Sequence, residues 1–208
     1  LKQQYLDGYF HYRPELWFGE HGERIIGPAY TADQFIGDYV DIPQGDFVIG
    51  VIAMSDAGEL SSLCGDQSFN PLNITLLNIN PELRAQPSKG CTRALALFPQ
   101  KPKYIVSEEN PRNLEQVRAN AVVQAVIRDA FQEIQELWKE GADFICPDGK
   151  IRRGHVTCAG WLADYMELIK IFSITANSCP VCTASGPNLE AYPTTRFPPR
   201  ETQQFQSL

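Results

Sequence analysis

The sequence predicts a mixed α/β fold of the α+β kind, with sheet strands first and one long helix after them. Three observations predict it. FVIGVIAMS (47–55) is an apolar run that barely alternates, the pattern of a strand buried on both faces. NPLNITLLNIN (70–80) follows as a second apolar strand. NLEQVRANAVVQAVIRDAFQEIQELWKEG (113–141) then places Val123, Ile127, Ala130, Ile134 and Leu137 on one face at three- and four-residue steps.

Residues 1–46 form an irregular, aromatic-rich N-terminal segment broken by Pro14, Gly19, Gly22, Gly27 and Pro28, and closed by the turn in YVDIPQGD (39–46). After the strand at 47–55, ELSSLCG (59–65) supplies a short strand. Pro71 stands at the start of the next one, where a missing N–H is tolerated. PELRAQPSKG (81–90) reads as a loop, and CTRALALFP (91–99) as a short strand or one turn of helix. The long helix takes Asn113 as N-cap, Gln116 three residues on, and Gly141 as its stop. A strand to Cys146, a PDG turn and a strand near 155–162 follow, then Asp164 and a short helix. A β-meander followed by a strand–helix–strand crossover is how a mixed sheet of the ribonuclease H type begins, one choice among several α+β folds. On this reading 47–175 is a partial, ribonuclease H-like core, incomplete at its end, and 176–208 an insertion or tail.

At 208 residues, with a hydrophobic fraction of 43% and a charged fraction of 21%, the chain suits one globular domain with appendages. No stretch has the ~18 apolar residues of a membrane span, and LKQQYLDGYF lacks the features of a signal peptide. The chain starts without Met and is expected to be a fragment. A net charge of −7 and a pI near 5.0 argue against a free-standing nucleic-acid-binding module, but not against a site built from clustered carboxylates. Cysteines 64, 91, 146, 158, 179 and 182 are too sparse for a disulfide scaffold, which leaves reduced thiols or metal ligation. The sequon Asn73-Ile74-Thr75 falls inside a predicted strand.

Three constellations could carry chemistry. Asp56 and Asp164 each follow a buried strand, and two-metal phosphoryl transfer needs carboxylates from different strands converging on ions ~3.5–4 Å apart. The plainer reading makes Asp56 a turn residue and Asp164 a helix N-cap. Cys179-Pro180-Val181-Cys182 reads either as half of a tetrahedral zinc site, completed by ligands past residue 208 or by Cys146, Cys158 or His155, or as two unliganded thiols. Arg152 and Arg153 in KIRRGH (150–155) could grip phosphates, though adjacent arginines after a PDG turn also suit a solvated hairpin tip.

The order of these motifs resembles that of the Plavaka-type transposases of fungal elements, within the Kyakuja–Dileera–Zisupton group. The resemblance runs through MSD (54–56), LSS (60–62), GDQ (65–67), NPLNITLLNI (70–79), QPS (86–88), DGKIRRGH (148–155), LADY (162–165) and SCPVC (178–182), over roughly residues 10 to 190. ERIIGPAYTADQF (23–35) is similar to the segment before the family's catalytic strand. The resemblance implies a DDE/D catalytic core with Asp56 and Asp164 as the first two metal-binding acids, Mg²⁺ or Mn²⁺ as cofactor, and Zn²⁺ as a candidate at Cys179 and Cys182. It also implies DNA as the partner of the intact protein and a nuclear location; separately, a second copy is a further candidate partner, and the lack of an apolar run leaves no membrane expected. Ala57-Gly58 stands where family members commonly carry Lys-Thr, and the third acid is expected past residue 208. The chain alone is therefore expected to bind metal weakly and catalyse poorly. The alternative is a non-enzymatic, transposase-derived remnant acting as a protein-binding or zinc-stabilised module.

Overall fold

The computed structural model describes residues 6–56, 58–61, 67–99, 112–190 and 197–200. It is a mixed α/β structure, compatible with a ribonuclease H-like core. Its strands are β1 (Trp17–Phe18), β2 (Arg24–Ile25), β3 (Phe47–Ser55), β4 (Gly58–Ser61), β5 (Gln67–Leu76), β6 (Thr92–Phe98), β7 (Ala142–Ile145) and β8 (Ile151–Leu162). Its helices are α1 (Asp33–Val40), α2 (Pro81–Arg84), α3 (Arg112–Phe131), α4 (Ile134–Lys139) and α5 (Tyr165–Phe172). No described helix is long and apolar enough to cross a membrane. The chain divides into two compact units: Leu1–Met54 with Pro71–Leu97 and Asp129–Leu162, and Ser55–Asn70 with Phe98–Arg128 and Ala163–Leu208.

The first unit is built on β3. The strand order is β5-β3-β8-β7, with β6 on β5; β3 and β8 run parallel, whereas β7 and β8 form an antiparallel hairpin. Alternation along β3 explains its burial on both faces. Phe47, Ile49 and Val51 enter one apolar cluster with Leu6, Phe10, Ile79, Leu83 and Val156, while Val48 enters another with Tyr30 and Phe35. Asn78 is fully buried and both polar groups of its side chain are used. Its Oδ1 accepts the Gly50 N–H at 3.0 Å, and its Nδ2 donates to Val48 O at 2.7 Å and His11 O at 2.9 Å. That side chain fastens the N-terminal segment to the central strand, and it explains why an apolar run ends in Asn-Ile. On β8, buried His155 holds Trp138 O through Nδ1 at 2.7 Å and Asp46 Oδ2 through Nε2 at 3.0 Å.

The second unit contains the β4–β5 hairpin, paired Gly58↔Phe69, Glu59↔Ser68 and Ser61↔Gln67, together with residues 112–128 of α3, α5 and the segments 173–190 and 197–200. Gln124 of α3 donates to Ile171 O at the end of α5.

Several local expectations need correction. Residues 81–90 are not a plain loop: Asn80 accepts the Glu82 N–H at 2.9 Å and Pro81 sits at the first helical position, so a one-turn α2 forms. The long helix is two helices, broken between Phe131 and Ile134 with no proline or glycine to announce it. It begins at Arg112, so Asn113 lies inside it rather than capping it. Pro71 lies within β5: the residues before it pair with β4, so it marks the end of the β4 ladder, not the start of a strand. β6 is a strand, and β8 starts at Ile151, four residues earlier than the apolar pattern suggests.

Candidate active site and thiol loop

Asp56 follows the last residue of β3 and is exposed; Asp164 follows β8 by two residues. The two strands are parallel neighbours, so both acids leave the sheet at the same end. Their alignment depends on one irregularity. From Phe47↔Gly154 to Val51↔Cys158 the register is regular; then Ile52 faces Gly160, and Ala159 has no partner of its own in the ladder. This β-bulge carries through to Met54↔Leu162. The last pair, Met54↔Leu162, stands two residues before each aspartate; without the bulge, Met54 would face Trp161 and the count to Ala163, not Asp164, would match that to Asp56. Neighbouring strands lie ~4.8 Å apart.

Asp164 is also the N-cap of α5. Its φ of −72° and ψ of 172° are extended, and its Oδ1 accepts the Glu167 N–H at 2.7 Å. The plainer sequence reading of this residue is thus present in the structure, and it occupies one carboxylate oxygen. It does not exclude the other role, because the cap holds the carboxyl group in a fixed place.

Glu167 is a residue that the sequence reading passed over. It is 5% exposed, with Oε1 accepting from Asn70 Nδ2 at 3.2 Å and Oε2 from Lys170 Nζ at 2.8 Å. Its backbone caps onto Asp164 while its side chain anchors the first turn of α5. The signal was available: Asp164-Tyr165-Met166-Glu167 has the spacing of a capping box.

The arginines are engaged within the fold. Arg152 makes a bidentate pair with Asp148 at 2.7 and 2.6 Å and lies 4.3 Å over the Tyr12 ring. That hydrogen bonding holds the Asp148 carboxyl at about 2, below the ordinary carboxylate range. Arg153, its side chain 47% exposed, donates to Glu140 O and pairs with Asp143 at 3.5 Å.

Cys179 and Cys182 share one turn. The Val181 and Cys182 N–H groups both point at Cys179 Sγ, each at 3.4 Å. Burial pushes the Cys179 thiol up, but those two N–H groups, the Cys182 side chain and Arg200 outweigh it and hold it below its ordinary value. The turn is pinned by Cys179 N–H to Ala184 O at 2.9 Å, Arg200 N–H to Val181 O at 3.0 Å and Arg200 Nε to Cys179 O at 2.8 Å. Two thiols in one turn, with N–H groups already directed at sulfur, are two of the four ligands that a tetrahedral Zn²⁺ takes. Among the described residues, no group of three or more His, Cys, Asp or Glu side chains is gathered to hold a metal ion. Cys64 lies outside the described residues.

A family model described as Plavaka transposase matches residues 1–208, the whole chain. The chain belongs to the Plavaka transposase family. No curated protein and no solved structure matches it. Membership of the Plavaka transposases gives the chain a transposase-related origin.

Proposed function

We propose that the chain is part of a DNA transposase catalytic domain in which Asp56 and Asp164 hold divalent metal ions for DNA cleavage and strand transfer. The observation that supports this is the bulged β3–β8 register, whose last pair, Met54↔Leu162, stands two residues before each aspartate on two parallel, neighbouring strands. Carboxylates on strand ends ~5 Å apart suit an ion pair ~4 Å apart. When bound, Mg²⁺ or Mn²⁺ would activate the attacking oxygen and neutralise the leaving one. Asp164 is held by its cap and Glu167, so its carboxylate is placed before the metal arrives and little ordering entropy is lost on binding. A third carboxylate would complete such a site, and the two acids alone are expected to bind weakly. The DNA backbone is the proposed partner. Arg153, the more exposed of the two arginines, is the better candidate for a phosphate contact, because Arg152 is committed to Asp148 and Tyr12.

The test is cleavage of the polypeptide by hydroxyl radicals generated at bound Fe²⁺. The expected cuts fall near residues 56 and 164 together, are suppressed by excess Mg²⁺, and disappear in Asp56→Asn. Cuts near only one aspartate, or cuts indifferent to Mg²⁺, would refute a shared site.

The hydrogen bonds to Cys179 Sγ favour a second, compatible reading for the tail: a Zn²⁺-holding turn based on Cys179 and Cys182. Zinc stoichiometry of the purified chain tests it, and a metal-free protein with unchanged melting in chelator would refute it.

A further inference from the structure

One residue of the LADY motif has no part in the proposed metal site, and it connects the two constellations of the second unit. Tyr165, directly after Asp164, donates its hydroxyl to Ser178 O at 3.0 Å; Ser178 directly precedes Cys179. Ser178 is buried and is fixed from two further directions: its hydroxyl meets Thr175 Oγ1 at 2.9 Å, and its backbone bridges to Ser185 across the thiol turn. The strap from α5 to the turn is set at both ends. Ser173 ends α5 at φ 52° and Asn177 stands at φ 64°, left-handed positions that favour glycine, yet neither is glycine. The Ser173 hydroxyl is buried with no hydrogen-bond partner. Such a strap has few ways to move: a shift of the thiol turn is passed to Ser178, and from Ser178 to the first residue of α5.

We propose that Tyr165 is a positioning residue that couples the Cys179–Cys182 turn to Asp164, so that a thiophilic cation held by the two thiols steadies the Asp164 carboxylate. The coupling rests on the reading of Asp164 as a metal-holding acid for its significance, but not for its physical basis, which is the path Asp164–Tyr165–Ser178–Cys179, two peptide links joined by one hydrogen bond. A cation on the sulfurs restricts the turn. The turn already holds Ser178 in the bridge to Ser185, and Ser178 O holds the Tyr165 hydroxyl. The cap from Glu167 N–H to Asp164 Oδ1 sits within the same turn of helix, so opening of that cap becomes rarer when the tyrosine is anchored.

The test is amide hydrogen exchange of the whole chain with and without Zn²⁺, with Co²⁺ absorption as a separate report of thiolate ligation. In the wild-type chain Zn²⁺ is expected to slow exchange both in 179–185 and in 165–169. At the Glu167 amide the factor is about five, the worth of one ordinary hydrogen bond. Tyr165→Phe is expected to keep the Co²⁺–thiolate band and the slowing in 179–185 while losing the slowing in 165–169. The proposal is overturned if Zn²⁺ slows the turn but not α5 in the wild type, if Tyr165→Phe keeps the α5 response, or if Co²⁺ gives no thiolate band. None of these readouts requires DNA cleavage. A failure of radical cutting at residues 56 and 164 would remove the metal-holding role of Asp164 and leave the exchange result standing.

Discussion

Asp164 carries two roles that different substitutions separate. Its Oδ1 caps α5 through the Glu167 N–H, and its carboxylate charge serves the proposed metal site. Asparagine keeps the side-chain oxygen and caps as well as aspartate; alanine removes both oxygen and charge. Asp164→Ala should therefore cost about 1 kcal/mol for the lost cap, which lowers the melting temperature by about 2–4 °C in a protein of this size. Asp164→Asn should cost only a few tenths of a kcal/mol, through loss of a negative charge at the helix N-terminus. For metal, both variants remove a ligand charge, and both should weaken Mn²⁺ binding by about tenfold or more, a loss no smaller than that from removing a supporting residue around a metal. The assay is thermal melting paired with Mn²⁺ titration followed by water-proton relaxation. Asp164→Asn with native melting and lowered Mn²⁺ affinity supports both roles. If Asp164→Asn binds Mn²⁺ like the wild type, Asp164 is a cap alone and the two-acid reasoning fails.

Three further outcomes follow from the packing. Asp148 is held at about 2 by Arg152, against an ordinary value of 3.8, so its contribution is present above about pH 4 and is lost as pH falls towards 2. Asp148→Asn should flatten the acid limb of a stability–pH curve between those limits, and an unchanged limb would count against the ion pair. Asn78→Ala should cost about 2–4 kcal/mol in urea unfolding, because it strands a buried N–H and two carbonyls at once; a cost under 1 kcal/mol would show that the three bonds are not jointly made. Gly154→Ala would place a methyl 2.9–3.0 Å from Phe47, Ile49 and Phe144, and should cost about 1–3 kcal/mol in the same assay.

Much of this architecture is written in local chemistry. The nine residues of β3 are legible because an apolar run without alternation has to be covered on both sides, and Phe47, Val48 and Ile49 are. The Asp164 cap is legible because an extended segment gives way there to helical spacing. α2 is also signalled, by Asn80 ahead of Pro81, but 81–90 is rich in loop-forming residues that mask a helix of one turn. The break between α3 and α4 has no local mark, since residues 131–134 contain neither proline nor glycine. Glu167 was hard to see for a different reason: a glutamate on a short helix is ordinarily solvated, and its burial depends on Asn70, nearly a hundred positions earlier. Least legible is the bulge at Ala159, because ladder register is a property of two strands at once and neither sequence contains it.

That bulge also holds a residue of slack. More than a hundred positions separate the two aspartates, and loops between them can lengthen or shorten without disturbing how β3 meets β8. Inside β8 the allowance is smaller and lopsided. Losing Ala159 would straighten the strand while leaving Cys158 on Val51 and Gly160 on Ile52, so a one-residue deletion there is absorbed. The same loss between Trp161 and Ala163 finds no spare residue to draw on, and it advances Asp164 by one place along the chain relative to Leu162's old position. Loss of a single residue should therefore be tolerated at Ala159 and punished beyond Gly160, within a single strand.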